Sequence, residues 1–244
     1  LRKRMETLGV TLLTGAPLTG IAVKDGTVSG MYKDQAVTGD LLLVAVGRRP
    51  NTAALDLARA GVKVDERGTI PVDAQGRTNV ASIFAVGDLV TGSIQLAHAA
   101  TQQGVAAAEA AAGMKSAVEK VCPSCIFTSP EIGLAGLTEA KAQQLGRTVK
   151  TAIFPFAALG KAMAAGETDG FVKWICDSAT GQVLGAQAVG AHATELIAEA
   201  ALAIRNELTV DEVGRTIHSH PTMSEAWMEA AHAFHNACIH LPKR

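Results

Sequence analysis

The sequence has few cysteines, almost no net charge and no hydrophobic run of membrane-spanning length. Four cysteines in 244 residues are too few for a disulfide scaffold, so we expect a reducing, cytoplasmic setting. The net charge of −1 gives no electrostatic reason to expect nucleic acid or an anionic membrane as a partner. No apolar run approaches the roughly 20 residues of a membrane span, and the charged start predicts no secretory signal.

The composition is that of a chain with a sizeable core, since 48% of the residues are hydrophobic and only 18% are charged. Its length allows one large domain or two modest ones. Two of the cysteines form a Cys-x-x-Cys motif, Cys122-Pro123-Ser124-Cys125, for which a redox or a metal role must be considered. Zinc would require a second pair or nearby histidines at ligand spacing, and the sequence shows neither, which favours a structural role.

The first fifty residues alternate apolar runs with turn residues. We expect a helix end and a strand within 1–13, then a hairpin whose turn contains Asp25 and Gly26, because Asp-Gly between apolar runs favours a tight turn. The unbroken apolar run 41–46 predicts a central strand covered on both faces. It ends in Gly47 and Arg48, which suit either a close backbone approach to a ligand with phosphate contact or a tight turn with a solvated arginine.

The segment 51–112 carries a second strand-to-glycine junction. We expect a short helix over 55–61 and an apolar strand over 82–86 that ends in Gly87 and Asp88. At the carboxyl end of a strand, Asp88 can accept hydrogen bonds from a sugar hydroxyl, although capping a helix is an equal alternative. A long alanine-rich helix over 96–112 follows, and its amino end, at Ala97 and His98, would present free N–H groups and partial positive charge.

After a linker at 113–120, the pattern predicts an α+β domain of antiparallel strands and helices. We expect strands over 124–128, 148–156, 170–176 and 182–189, and helices over 138–145 and 193–206. Thr209 and Glu212 have capping-box spacing at the start of a shorter helix. A last helix is expected over 226–238, from apolar residues at helical spacing.

Two imidazoles, a proline and a carboxylate crowd into 218–225, just before that last helix. Pro221 biases His220 away from helical backbone, so His220 should precede the helix. One interpretation of Glu225 is a capping box with Thr222. The other is a dyad, in which Glu225 fixes the tautomer of His220 and leaves the second ring nitrogen to move a proton. Spacing alone leaves both interpretations open.

The run His-Pro-Thr-Met-Ser-Glu-Ala at 220–226 resembles the C-terminal signature of the flavin-dependent pyridine nucleotide–disulfide oxidoreductases. The resemblance implies an acid/base role for His220, oriented by Glu225. Gly-Arg-x-Pro-Asn from Gly47 resembles the end of the family's NAD domain, implying a nicotinamide-nucleotide contact at Gly47 and, less directly, Arg48. Ala-x-Gly-Asp ending at Asp88 resembles its second FAD fingerprint, implying that Asp88 binds the flavin's ribitol chain.

The resemblance also implies FAD contact at the helix start, at Ala97 and at His98, and it sets the architecture. The fold class is α/β and α+β: 1–50 would be the C-terminal part of an NAD-binding domain, 51–118 the C-terminal part of an FAD-binding domain, and 119–244 an α+β interface domain. The implied cofactors are FAD and NAD. The implied partners are a second copy of the chain, whose histidine acts across the dimer, and components of a 2-oxoacid dehydrogenase complex.

The chain departs from the family in two respects. It has Ala99 where the family usually has Lys, and Gln103 where the family usually has Glu, which bears on the tuning of the flavin. It also contains neither Gly-x-Gly-x-x-Gly nor a Cys-x-x-x-x-Cys redox pair. The resemblance therefore covers only the C-terminal half of the family's chain, and we expect a fragment of a longer enzyme. The alternatives are a sister disulfide reductase or a dimerisation module without catalysis.

Overall fold

The computed structural model describes residues 1–242, and the chain divides after Pro50 into two compact units, 1–50 and 51–244. The first unit contains one helix and one antiparallel sheet in the order β1-β2-β3. Asp25 and Gly26 have φ of 50° and 78°, the left-handed backbone that a two-residue hairpin loop needs, so the predicted hairpin is confirmed. The third strand was not predicted. The bounds are α1 Arg2–Thr7, β1 Leu18–Lys24, β2 Thr27–Tyr32 and β3 Gln35–Gly39.

The strands predicted over 10–13 and 41–46 are wrong, because neither run is part of a sheet in the described residues. The apolar side chains of the second run are exposed, with Leu41, Leu43 and Val46 at 88%, 85% and 91%. A strand exists only where a neighbour accepts and donates its ladder hydrogen bonds. In the described part of this unit, β1 to β3 pair only with one another.

The segment 51–112 is mostly irregular and ends in one long helix. Instead of the helix predicted over 55–61, a single 3₁₀ turn spans Ala53–Leu55 and ends at Asp56, whose φ of 47° is left-handed. The strand predicted over 82–86 is also wrong: Ser82 lies in a turn, Phe84 makes a single bridge with Arg77, and a 3₁₀ turn at Gly87–Leu89 follows. The predicted long helix is confirmed as α2, Ala97–Ala111.

The rest of the second unit is a five-stranded antiparallel sheet, in the order β4-β5-β8-β7-β6, packed against helices. Side-chain caps explain where two of these helices begin: Thr138 accepts a hydrogen bond from Lys141, and Thr209 forms the predicted capping box with Glu212. The strands are β4 Ser124–Ile126, β5 Ile132–Gly136, β6 Val149–Pro155, β7 Phe171–Asp177 and β8 Val183–Val189. The helices are α3 Glu139–Gln144, α4 Gly160–Ala165, α5 Ala193–Arg205, α6 Val210–Arg215 and α7 Glu225–Phe234.

The main core lies between this sheet and two helices, with α5 on β5 and β8 and α7 on β6 and β7. Trp174 of β7 and Trp227 of α7 are fully buried, with ring centroids 4.3 Å apart. The indole N–H of Trp174 donates to the Trp227 carbonyl, and that of Trp227 donates to the Leu196 carbonyl of α5. These bonds satisfy both buried indoles and fix α7 relative to the sheet and to α5.

Candidate functional site

The loop 216–224 joins α6 to α7 and holds the candidate acid/base residues. Glu225 is the first residue of α7, and Ser224 is its N-cap without a side-chain cap bond. The capping box considered for Thr222 and Glu225 is therefore not formed, since Thr222 lies two residues before the cap. The predicted end of this helix at 238 is also wrong: it ends at Phe234, and Asn236 takes a left-handed φ of 56°.

The Glu225 carboxylate instead joins two parts of the loop. Its Oε1 lies 2.9 Å from His220 Nδ1, and its Oε2 accepts a hydrogen bond of 2.8 Å from the Thr222 N–H. Burial raises the pKa of the Glu225 carboxyl, but the Thr222 N–H and the His220 side chain outweigh it and leave the pKa below its usual range. Glu225 is therefore an ionised acceptor that holds the Nδ1–H tautomer of His220.

The two members of this pair differ sharply in exposure. The Glu225 side chain is 6% exposed, whereas the His220 imidazole is 67% exposed. With Nδ1 bound to the carboxylate, Nε2 of His220 is the ring nitrogen that can exchange a proton with a group outside this unit. A buried carboxylate orienting an exposed imidazole is the arrangement that general acid/base chemistry uses.

Two further imidazole–carboxylate pairs surround this loop, and sequence reasoning assigned neither. His218 Nε2 lies 2.7 Å from Glu199 Oε1, which brings α5 to the loop. His240 Nδ1 lies 2.8 Å from Glu229 Oε1, and Glu229, on α7, is fully buried. The partners are 19 and 11 residues apart, so no local spacing could have identified them. The sequence signal for the second pair was the place of Glu229 on the apolar face of α7, where a carboxylate is rarely buried unless it has a partner.

The candidate flavin residues lie on two neighbouring elements. Asp88 is half-buried in the 3₁₀ turn Gly87–Leu89, which packs against α2. Gly87 has a φ of 82°, and a Cβ there would lie 3.3 Å from that of Ala100, so this close approach suits glycine. Gln103 of α2 accepts a hydrogen bond of 2.6 Å from the Gly87 N–H and donates one to Ser93.

The amino end of α2 supplies donors beside this turn. Leu96 is the N-cap without a side-chain cap bond, so the first N–H groups, from Ala97 onward, point out of the helix. The imidazole of His98 is used differently: its Nε2 lies 2.8 Å from the Pro123 carbonyl and ties α2 to the segment before β4. An acceptor at Asp88 and main-chain donors at Ala97 fit a ligand that carries both hydroxyls and carbonyl oxygens, as FAD does.

Gly47 and Arg48 belong to the first unit, whereas the other candidate residues belong to the second. Gly47 has a φ of 108°, and a Cβ built on it meets no atom within 4 Å. Its conformation, and not crowding, therefore favours glycine. The expected nucleotide contact at Gly47 and Arg48 stays a prediction.

The cysteines have the features of structural thiols. Cys122, Cys125, Cys176 and Cys238 are unbridged, and burial raises the pKa of each thiol, to about 12 for Cys176. Within 1–242, no group of three or more His, Cys, Asp or Glu side chains could hold a metal ion. No helix in that range is long and apolar enough to cross a bilayer.

Comparison with known proteins identifies the class. A sequence model described as pyridine nucleotide-disulphide oxidoreductase matches residues 1–104, and one described as the dimerisation domain of these proteins matches 122–231. The chain belongs to the pyridine nucleotide–disulphide oxidoreductase family, whose members are flavin-dependent enzymes that use FAD and NAD. The resemblance noted in the sequence is thereby confirmed.

Within this family, the chain is similar to dihydrolipoyl dehydrogenases. That of Chlamydia muridarum (strain MoPn / Nigg) is 45% identical over 96% of this chain and 50% of its own, and that of Thermus scotoductus (strain ATCC 700910 / SA-01) is 43% identical over 100% and 54%. The chain therefore spans about half the length of the curated relatives it matches.

Solved structures agree. LpdA from Mycobacterium tuberculosis superposes with a TM-score of 0.87 at 30% identity, covering 94% of this chain and 50% of its own. The HOCl-induced flavoprotein disulfide reductase RclA from Escherichia coli has a TM-score of 0.85 at 27% identity, covering 96% and 54%. The expected fold class, a partial Rossmann-like region followed by an α+β dimerisation domain, is confirmed.

Proposed function

We propose that this chain forms the C-terminal part of a dihydrolipoyl dehydrogenase and supplies the acid/base dyad of that enzyme. The observation that carries the proposal is the bond of 2.9 Å between the exposed His220 imidazole and the buried Glu225 carboxylate. This bond lies within residues 122–231, which match the family's dimerisation domain. The similarity to dihydrolipoyl dehydrogenases supports a dithiol as the substrate.

The chemistry explains why a dithiol oxidase would need this dyad. Thiol–disulfide exchange begins when a thiolate, and not a thiol, attacks a disulfide sulfur. A base must therefore remove a proton from the substrate dithiol before it can reduce the enzyme's redox disulfide. Nε2 of His220 would take that proton. Glu225 would hold Nδ1 and stabilise the imidazolium that forms, in the way that a carboxylate orients a catalytic imidazole elsewhere. Bound FAD and NAD would carry the electrons away from the sulfur atoms.

The cofactor-binding residues would act by positioning. The Asp88 carboxylate would accept hydrogen bonds from hydroxyls of the flavin's ribitol chain. The amino end of α2, at Ala97 and His98, would donate N–H groups to the flavin ring and favour electron density there. Gly47 and Arg48 would contact the nicotinamide nucleotide, Gly47 through close backbone approach and Arg48 through its charge.

We further propose that the enzyme is a cytoplasmic homodimer whose His220 completes the active site of the opposite subunit. The exposed imidazole, on the family's dimerisation domain, supports this arrangement. A two-fold interface is self-complementary, so each subunit would give one dyad and receive one. Components of a 2-oxoacid dehydrogenase complex are the proposed partners of the dimer.

Substrate profiling of the longer protein that contains this chain tests the proposal. We expect reduction of NAD by dihydrolipoamide, with little reduction of glutathione disulfide by NADPH. The opposite preference would assign the chain to a sister reductase and refute the proposed substrate. Absence of every dithiol or disulfide activity, in a protein with FAD bound, would instead leave a dimerisation module and refute catalysis.

A further inference from the structure

His218 lies two residues before His220, but its environment is different. Its side chain is 5% exposed, compared with 67% for His220. It is therefore poorly placed to reach a substrate. A buried imidazole needs partners for its polar atoms, so its contacts show what it does.

Both ring nitrogens of His218 face hydrogen-bond acceptors. Nδ1 lies 2.9 Å from the Thr216 carbonyl oxygen, and Nε2 lies 2.7 Å from Glu199 Oε1. A carbonyl oxygen can only accept, and so can an ionised carboxylate. A neutral imidazole has one N–H and would leave one of these contacts without a proton. Only the imidazolium, with two N–H groups, satisfies both.

The charges around His218 favour the same protonation state. The hydrogen bond with Glu199 raises the pKa of His218, burial opposes it, and the Thr216 carbonyl and the charges of Glu199 and Glu225 raise it further. Glu199 faces the imidazole from α5, and Glu225 acts on it from α7. Helices α5 and α7 therefore each present a carboxylate to the His218 imidazole.

This arrangement anchors the loop at two points. The ion pair of His218 and Glu199 connects the loop to α5, and the contacts of Glu225 connect it to α7. His220 lies between these anchors. The His218 side chain is 5% exposed and the Glu199 side chain is 37% exposed, so the pair is buried on the imidazole side only. Breaking it would leave the Nε2–H of a buried imidazole without a partner, which is costly and favours a single geometry of the loop.

We propose that His218 is held as a buried imidazolium by Glu199 and Thr216, and that this ion pair is a positioning device for His220. The role of His220 is the proposed function given above, and this inference rests on it. His218 does not touch the substrate. It fixes the path of the loop, and its positive charge neutralises that of Glu199 near the pair of His220 and Glu225.

The protonation state can be measured directly in the longer enzyme that contains this chain, by two-bond ¹H–¹⁵N NMR correlation of its ¹⁵N-labelled histidine rings. We expect His218 to show two protonated ring nitrogens at pH 7.5. Replacing Glu199→Gln keeps a side chain of the same shape that can donate to Nε2, so His218 should become neutral in that variant. A neutral His218 in the unaltered chain would overturn the proposal.

Kinetics of the longer enzyme test the positioning role. For His218→Gln, we expect kcat with dihydrolipoamide to fall about 10- to 100-fold, because displacing a catalytic group by about 1 Å can cost about 10²-fold, with KM changed less than about twofold. The acid limb of its pH profile should also move to higher pH, because the uncompensated Glu199 carboxylate favours the protonated base. For Glu199→Gln, which removes the charge but keeps the link, both effects should be smaller.

An exposed imidazole–carboxylate pair serves as the control, and His220→Gln serves as the reference variant. His235 Nε2 lies 2.7 Å from Asp211 Oδ1, but both side chains are about half exposed, so Asp211→Asn should leave kcat and the pH profile unchanged. If His220→Gln abolishes turnover while His218→Gln matches wild type in kcat and profile, the positioning role is refuted and the proposed function stands. If His220→Gln is itself fully active, the proposed function fails first.

Discussion

The fully buried Glu229 carboxylate should hold the carboxyl-terminal segment onto α7. It accepts hydrogen bonds from the main-chain N–H groups of Ile239 and His240, at 3.0 and 3.3 Å, and contacts His240 Nδ1 at 2.8 Å. Replacing Glu229→Met retains much of the volume but removes both carboxylate oxygens and leaves only a weakly accepting sulfur. Ile239 and His240 are exposed, but their main-chain N–H groups are directed at the buried Glu229 carboxylate. Without that carboxylate, these N–H groups find an acceptor in water only if the segment moves away from α7.

The size of the effect follows from these contacts. A hydrogen bond to a charged group contributes about 1.5–3 kcal/mol, and two main-chain bonds to Glu229 are lost. At the lower value, the segment loses about 3 kcal/mol of local stability. Global stability need not fall, because an apolar residue can replace a buried charge at little cost. Local opening is therefore the better observable.

Amide hydrogen exchange of Ile239 and His240 measures that opening. A loss of about 3 kcal/mol should speed exchange about 100-fold in Glu229→Met, since 1.4 kcal/mol corresponds to a factor of ten. Glu229→Gln is the matched control: its amide oxygen can still accept from the main chain and its N–H can donate to His240, so exchange should speed up much less than in Glu229→Met. Equal exchange in wild type and Glu229→Met would refute the reasoning.

Three shorter predictions concern stability and reactivity. Because its folded pKa is lowered, Glu225 should stabilise the fold above the ordinary carboxyl pKa of about 4.3 and lose that effect as the pH falls, so Glu225→Gln should flatten urea-unfolding stability across that range. Gly185→Ala should destabilise by more than about 2 kcal/mol, because its Cβ would lie 1.9 Å from the Leu137 oxygen, whereas Gly104→Ala, in open space on α2, should stabilise by about 0.5–1 kcal/mol in the same assay. Cys176, fully buried with a pKa of about 12, should resist iodoacetamide until urea unfolds the chain, as mass spectrometry would show.

The parts of the fold that the sequence predicted well have local causes. The caps at Thr138 and Thr209 are encoded within one helical turn, and the Asp25-Gly26 loop defines its own hairpin. The alternating and helical patterns of the last 120 residues also correspond to elements that pair within the chain. Such features depend on neighbours a few residues away, which sequence patterns record.

The failures share another cause. The runs 41–46 and 82–86 have strand composition, but a strand needs a hydrogen-bonding neighbour, and the described residues provide none for the first and a single bridge for the second. The pair of His220 and Glu225, five residues apart, was one of two interpretations that the spacing allowed, and the family resemblance implied it. The pair of His218 and Glu199 joins residues 19 apart on different elements, so only the folded chain brings it together.

The most direct test of the central claim is stopped-flow reduction of the longer, FAD-loaded enzyme by dihydrolipoamide, with and without His220→Gln. If His220 moves the substrate proton, the rate of reduction should fall by about 10²- to 10⁴-fold while FAD content and dimerisation stay unchanged. A variant that is reduced as fast as the wild-type enzyme would contradict the account.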